Sequence, residues 1–222
     1  MARAAEKKKE EPKKMGRADV LSALAAMLET PTGELHREVE VRVGRIRDGR
    51  YASGVEPEHL ERVLSKLGRF GGWTSTSAEF TRSVHFGDVA LDVDTERARC
   101  KKRLRSVTFA VDESDLAIRL SLSTEAAVDS ASLLRRRAQE GAVRGRERRS
   151  FEYKGKLRFD CTRTVTATVH AMCTSVPRCV CELEVEATGD VAAESMLLKV
   201  EDMLRVCAAG RAAFEYSAVA SA

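Results

Sequence analysis

The sequence predicts a mainly β, α+β protein: a closed eight-stranded antiparallel β-barrel with a hydrophilic interior and flanking helices. Three observations lead there. Segments with a side-chain period of two recur along most of the chain, each with one apolar face and one charged or hydroxyl-bearing face. Carboxylates gather on the charged faces of the first and last of these segments, Glu38-Val-Glu40-Val-Arg42-Val-Gly44 and Glu182-Leu-Glu184-Val-Glu186, while basic groups gather on those between. Three segments with helical periodicity can cover the apolar faces from outside, which turns the charged faces inward and reverses the usual small barrel with its packed apolar interior.

Residues 1–16, with Lys7-Lys-Lys-Glu-Glu-Pro-Lys-Lys14, lack apolar periodicity and are expected to be a disordered basic tail, solubilising or a weak nuclear signal; residues 17–222 are expected to be one domain. Val20, Leu21, Leu24 and Leu28 recur at helical spacing over 18–28, with Pro31-Thr-Gly33 as a stop. The first acidic strand takes 36–46, and Asp48-Gly49 turns the chain. Pro57 opens a second helix, 59–67, with Leu60, Val63, Leu64 and Leu67 on one side. From Trp73, read as a packing residue, strands are expected at 73–85, 89–94, 99–109, 116–125, 146–153, 156–169 and 178–188. Their separators are turn-like: Phe86-Gly-Asp88, Asp112-Glu-Ser-Asp115, Lys154-Gly155 and Ser175-Val-Pro177. Only 126–145 leaves room for an inserted loop or helix, basic at Arg135-Arg-Arg137, and a third helix is expected over 191–209 with Met196, Leu197, Val200, Leu204 and Val206 inward.

Composition narrows the functional classes. A formal charge of +4 conceals 38 basic and 34 acidic residues, so anion binding must come from local clustering rather than bulk charge. No apolar run approaches the ~20 residues of a membrane span, and the amino terminus lacks the apolar core of a signal peptide, so a soluble intracellular protein with no membrane partner is expected. The six cysteines form no C-x-x-C pair, and the four histidines, His36, His59, His85 and His170, have no partners at metal spacing. Free thiols are expected rather than a zinc site. Neither a Cys-x-x-x-x-x-Arg phosphatase loop nor a G-x-x-x-x-G-K-[ST] loop is present.

The charged faces define the candidate site. Arg119, Ser121, Ser123 and Glu125 alternate opposite Ile118, Leu120 and Leu122; Arg146, Arg148 and Ser150 alternate; so do Arg158, Asp160, Thr162 and Thr164, and Lys101, Arg103 and Arg105. Same-sign carboxylates at i and i+2 repel in close register. They are either the wet faces of an ordinary antiparallel sheet or a cation site. Five glutamates brought into one lumen would have raised pKa values unless cations were present, and a hard divalent ion, Mg²⁺ or Mn²⁺, suits an all-oxygen donor set. The Arg and Lys side suits phosphate oxygens. A metal-bound polyphosphate fits both.

These residues resemble a family, the metal-dependent RNA 5'-triphosphatases of mRNA capping in fungi, protozoa and large DNA viruses, which belong to the triphosphate tunnel metalloenzymes. Its first motif is similar to Glu38-Val-Glu40-Val-Arg42-Val-Gly44 and its last to Glu182-Leu-Glu184-Val-Glu186. Between them, Arg146-Glu-Arg148-Arg-Ser150-Phe151 and Arg158-Phe-Asp160-Cys-Thr162 resemble its basic and Arg-x-Asp-x-Thr strands, and the likeness covers residues 34–210. The resemblance implies that Glu38, Glu40 and Glu186 ligate the metal, with Glu182 and Glu184 holding the basic side chains or a metal-bound water, and it counts Arg42 among the catalytic residues. It implies that Arg146 and Arg148 grip phosphate, that Asp160 supports the metal-site waters, and that Arg158 and Thr162 order their neighbours. Glu125 resembles the glutamate that orients the attacking water. A middle-strand arginine of the family is replaced here by Val89-Ala-Leu-Asp-Val-Asp94, leaving Arg97, Lys101, Arg103 or Arg105 as substitutes.

The implied reaction is hydrolysis of the γ-phosphate of 5'-triphosphate RNA, with NTP hydrolysis in Mn²⁺, a separate RNA guanylyltransferase as partner, and a nuclear location. Two rivals share much of the pattern. One is a tunnel enzyme acting on inorganic tripolyphosphate, thiamine triphosphate or nucleoside triphosphates; the other is a non-catalytic RNA-binding barrel.

Overall fold

The computed structural model describes residues 14–31, 36–129, 141–170, 173–174, 178–208, 210 and 213–219. In chain order the elements are β1 (Lys14–Met15), α1 (Arg17–Glu29), β2 (His36–Arg47), β3 (Arg50–Ser53), α2 (Pro57–Arg69), β4 (Ser75–Phe86), β5 (Val89–Asp92), β6 (Ala98–Val111), β7 (Leu116–Val128), β8 (Gly141–Tyr153), β9 (Leu157–His170), β10 (Cys173–Thr174), β11 (Arg178–Ala187), α3 (Ala193–Cys207) and β12 (Tyr216–Ala218). Eight of the strands close a ring in which every pairing is antiparallel: β2, β7, β6, β5, β4, β8, β9, β11 and back to β2.

The expected barrel is therefore present, with its faces oriented as the alternation requires. Val39, Val41 and Val43 of β2, Ile118, Leu120 and Leu122 of β7, and Leu183 and Val185 of β11 are buried in one apolar cluster with residues of the three helices. Those helical partners are Val20, Leu24 and Met27 of α1, Leu60 and Val63 of α2, and Met196, Leu197, Val200 and Leu204 of α3. The hydrophobic core thus lies between wall and helices, outside the ring. Burying ~25 cal/mol for each Å² of apolar surface, it supplies the main folding drive without any contribution from the lumen. Trp73 joins it as a packing residue: its rings stand 5.3 Å from both Phe151 and Phe159, and its Nε1 donates to the Leu67 carbonyl at 2.8 Å.

Several boundaries differ from expectation for local reasons. β7 runs on to Val128 and β8 begins at Gly141, so both take residues from the expected insertion. The Arg135-Arg-Arg137 run lies outside the described residues. Lys14 and Met15, assigned to the tail, pair with β12, and β12 extends the sheet from the outer end of β6. β3 was not expected at all. Asp48 and Gly49 both have positive φ (52° and 72°), the combination a two-residue primed hairpin turn demands, and they fold Arg50–Ser53 back along β2.

One alternation is broken. Arg103 pairs with Ser123 but Arg105 pairs with Leu122, so Leu104 is an extra residue, a β-bulge. A bulge shifts the side-chain phase by one, and Arg105 leaves the face that Lys101 and Arg103 share; Ser106 and Thr108 take over the lumen positions opposite Ser121 and Arg119. The expectation that Lys101, Arg103 and Arg105 form one basic stripe is corrected to the first two.

Candidate active site

The cross-strand register assembles the lumen from the charged faces. Glu186 of β11 stands directly opposite Glu40 of β2, Glu184 opposite Arg42, and on the next strand Arg158 opposite Glu186 and Asp160 opposite Glu184. Ser150 of β8 continues the second of these rows opposite Asp160, and Arg148 stands opposite Thr162 in the next row, which Glu182 shares. Glu38, Glu40, Asp160, Thr162, Glu184 and Glu186 are all buried, although the hydrophobic cluster contains none of them. Buried charges persist only when paired, and the lumen is laced with pairs.

Lys101 of β6 reaches across β7 to lie 2.5 Å from Glu38 and 3.1 Å from Glu40. Burial pulls its pKa down, but Glu40 and Glu38 outweigh burial and hold it above the ordinary value. Glu38 is the mirror case: burial would raise its pKa, yet Lys101 keeps it low. Arg42 bridges Glu40 at 3.2 Å and Glu184 at 2.8 Å, with Glu182 at 4.0 Å. Despite burial, these carboxylates raise its pKa. Glu184 itself is raised, burial outweighing Arg42. Arg158 joins Glu186 at 2.5 Å to Asp160 at 3.1 Å, and Arg148 meets the same Asp160 oxygen at 3.2 Å. Burial, reinforced by Glu38 and Asp160, pushes Glu186 up to about 7 against the pull of Arg158. Glu182 accepts from Ser53 and Thr164. Glu125 sits at the Glu38 end of the lumen, 3.1 Å from Arg99.

All twelve residues that the sequence nominates thus face one lumen. Of the substitutes for the absent middle-strand arginine, Lys101 is committed to Glu38 and Glu40, Arg103 is on the lumen face, Arg105 is turned out, and Arg97 lies outside the strands. Arg146 is different in kind. No carboxylate lies within ion-pair distance of it among the described residues, its Nε is buried without a hydrogen-bond partner, and burial lowers its pKa. It is a desolvated cation suited to an anion. Two residues escaped the sequence reading as site residues, Tyr51 and Arg119. Arg119 was visible as a member of an alternating face; Tyr51 carried no local signal, because it enters the site only through the β2–β3 turn.

The donor set fits a hard divalent cation. Glu38, Glu40 and Glu186 offer oxygen ligands alone, and the raised pKa of Glu186 marks a local excess of negative charge that a divalent ion would relieve. Asp160 Oδ1 and Thr162 Oγ1 are buried without hydrogen-bond partners among the described residues, which suits support of further ligands. The three carboxylates do not by themselves form a preformed metal-ligand cluster among the described residues; the Lys101 ammonium and the Arg158 guanidinium neutralise them instead.

No protein-family model matches the sequence, and no curated protein is similar to it. Solved structures are. The S. pombe Pct1 RNA triphosphatase superposes with a TM-score of 0.60 at 16% identity, covering 88% of this chain and 93% of that chain. The fold is that of the capping RNA triphosphatases. The Mimivirus capping enzyme triphosphatase matches with a TM-score of 0.56 at 12% identity, covering 86% of this chain and 97% of that one. Pct1 in complex with the Spt5 CTD matches with a TM-score of 0.54 at 17% identity over 93% of this chain and 94% of that chain. At these identities the shared property is the tunnel barrel, and chemistry must be argued from the lumen.

Proposed function

We propose that this chain is a metal-dependent RNA 5'-triphosphatase, removing the γ-phosphate from 5'-triphosphate RNA to leave the diphosphate end that a separate RNA guanylyltransferase caps in the nucleus. The observation that supports it best is the bipolar lumen: a carboxylate group of Glu38, Glu40 and Glu186 on one wall and, on another, Arg146, desolvated and without a carboxylate partner among the described residues. An ordinary wet sheet face has no reason to desolvate an unpaired guanidinium.

In this reading Glu38, Glu40 and Glu186 hold Mg²⁺ or Mn²⁺, which when bound polarises the γ-phosphoryl group and neutralises its charge. Arg146 and Arg148 fix equatorial phosphoryl oxygens through charge-assisted bonds and stabilise charge that develops in line. Asp160 keeps Arg148 and Arg158 in place through one oxygen, and its other oxygen, without a partner among the described residues, supports water with Thr162 beside it. Glu182 and Glu184 hold Arg42. Glu125, near Glu38, aims the attacking water. Water is the nucleophile throughout, so no side chain is modified.

The test is phosphate release from triphosphate-ended RNA, nucleoside triphosphate and inorganic tripolyphosphate, each with Mg²⁺ and with Mn²⁺. Metal-dependent release from the RNA end is expected. Release from tripolyphosphate or nucleotide but not RNA would reassign the tunnel to free triphosphates, and RNA binding without any release would make it a non-catalytic barrel.

A further inference from the structure

Arg119 of β7 lies in the lumen opposite Arg42 and within electrostatic reach of Arg103, and no carboxylate pairs with it among the described residues. Its Nε donates to Thr108 Oγ1 at 3.1 Å, and its guanidinium carbon stands 3.9 Å over the ring of Tyr51. The stack fixes the plane of the guanidinium while leaving its outer nitrogens without a hydrogen-bond partner among the described residues. Tyr51 is also incomplete. Its hydroxyl is buried with no hydrogen-bond partner among the described residues, in the electrostatic reach of Arg42, Arg119, Glu182 and Glu184.

The chain makes room for this arrangement. A Cβ on Gly44 would stand 2.7 Å from two ring carbons of Tyr51 and 2.5 Å from the Ala52 carbonyl oxygen, so the ring can lie over β2 only because residue 44 is glycine. The Asp48-Gly49 turn then sets the register that presents Tyr51 to the lumen. A buried hydroxyl and a guanidinium without a counter-charge among the described residues, held side by side, are two donors suited to one anionic acceptor.

We propose that Arg119 and Tyr51 form a phosphate subsite for a polyphosphate chain, displaced along the lumen from Glu38. The register places Arg119 level with Arg42, four residues along β2 from Glu38, or ~13 Å at ~3.3 Å per residue. A phosphate held there is not the one beside Glu38, so the subsite grips a part of the chain that does not react. It rests on the function proposed above, and it deepens that function by making the tunnel selective for a run of phosphates over a single one. An interaction equal in ground state and transition state raises affinity without changing turnover.

The test measures binding of inorganic tripolyphosphate to the full chain by calorimetry without metal, for wild type, Arg119→Gln, Arg119→Lys and Tyr51→Phe, with Mn²⁺ titrations alongside. Arg119→Gln is expected to weaken tripolyphosphate at least tenfold, Arg119→Lys by less, since charge survives but the fork does not, and Tyr51→Phe at least threefold. Mn²⁺ affinity should stay within twofold in all. In turnover, Arg119→Gln should raise KM at least tenfold with kcat within threefold. Tripolyphosphate binding within twofold of wild type in Arg119→Gln would overturn the subsite and leave Arg119 a structural prop; the same result in Tyr51→Phe would remove the hydroxyl from it. If Arg119→Gln fails to fold, Arg119→Lys and Tyr51→Phe decide. A wild-type chain that hydrolyses no triphosphate but binds tripolyphosphate through Arg119 overturns the proposed function and supports the subsite; a wild-type chain that hydrolyses RNA ends, with Arg119→Gln unchanged, does the reverse.

Discussion

Replacing Lys101 by methionine tests the electrostatic design of the lumen, because one ammonium there neutralises two carboxylates. Its Nζ lies 2.5 Å from Glu38 and 3.1 Å from Glu40, with 37% of the Lys101 side chain exposed against 11% and 5% for the glutamates. Removing one partner of a fully buried pair costs ~3–5 kcal/mol, and an exposed pair is worth ~0–1 kcal/mol. Lys101 is intermediate. Methionine keeps most of the stem packing, so the expected loss in metal-free protein is ~2 kcal/mol between these limits. For a chain of this size ~1 kcal/mol corresponds to ~2–4 °C, giving a melting temperature lower by ~4–8 °C. Under the proposed function the same change removes a cation that competes with the metal. Saturating Mn²⁺, worth ~2.7 kcal/mol at a hundred times its Kd, should therefore restore the variant by more degrees than it raises wild type. The assay is thermal melting with EDTA and with Mn²⁺. A variant that melts within a degree of wild type in EDTA, or that gains no more from Mn²⁺, refutes the reasoning.

Further outcomes follow from other lumen and wall positions. Under the proposed function, Glu38→Gln, Glu40→Gln and Glu186→Gln each keep shape but delete a charge that would hold the metal, so Mn²⁺ binding by calorimetry should weaken and Mn²⁺-dependent phosphate release collapse; wild-type behaviour in any one removes that residue from the proposed metal site. Arg148→Ala should lower turnover at least tenfold, the scale of a lost transition-state charge contact, while Asp160 keeps Arg158 as partner; unchanged kinetics would exclude Arg148. Gly44→Ala should cost ~1–3 kcal/mol by overpacking against Tyr51 and the Ala52 carbonyl, read as a lower melting temperature. His85 is half-buried, and desolvation together with Arg144, Arg146 and Arg99 lowers its pKa to about 4. The unfolded chain then binds the extra proton between about pH 6.5 and 4, so this contribution to stability is present above pH 6.5 and lost as pH falls through that window. Ring-proton NMR should show no titration near pH 6.5, and His85→Gln should melt with a shallower acid dependence.

The acidic strands were legible because the strand period of two is a local property: Glu38, Glu40 and Arg42 must share a face whatever their partners, and so must Glu182, Glu184 and Glu186. That the apolar faces turn outward also follows locally, once three helices are available to cover them. What escaped was set by register. Four residues, Arg50–Ser53, carry no alternation of their own and become a strand only because Asp48 and Gly49 adopt positive φ. The extra residue Leu104 reverses the facing of Arg105 without any signal in composition or charge. Pairing by side chain was hidden too, since Lys101 meets Glu38 and Glu40 across an intervening strand.

Placing the packed core outside the ring gives each strand two sides under separate rules. Outward positions answer to volume and shape, inward ones to charge balance, and a change on one side leaves the other almost undisturbed. Such a chassis tolerates wide drift: aliphatic residues can exchange among themselves beneath the helices, and lumen groups can be retuned for a differently charged cargo without repacking anything. The 16% identity shared with Pct1 across most of both chains is what that independence permits.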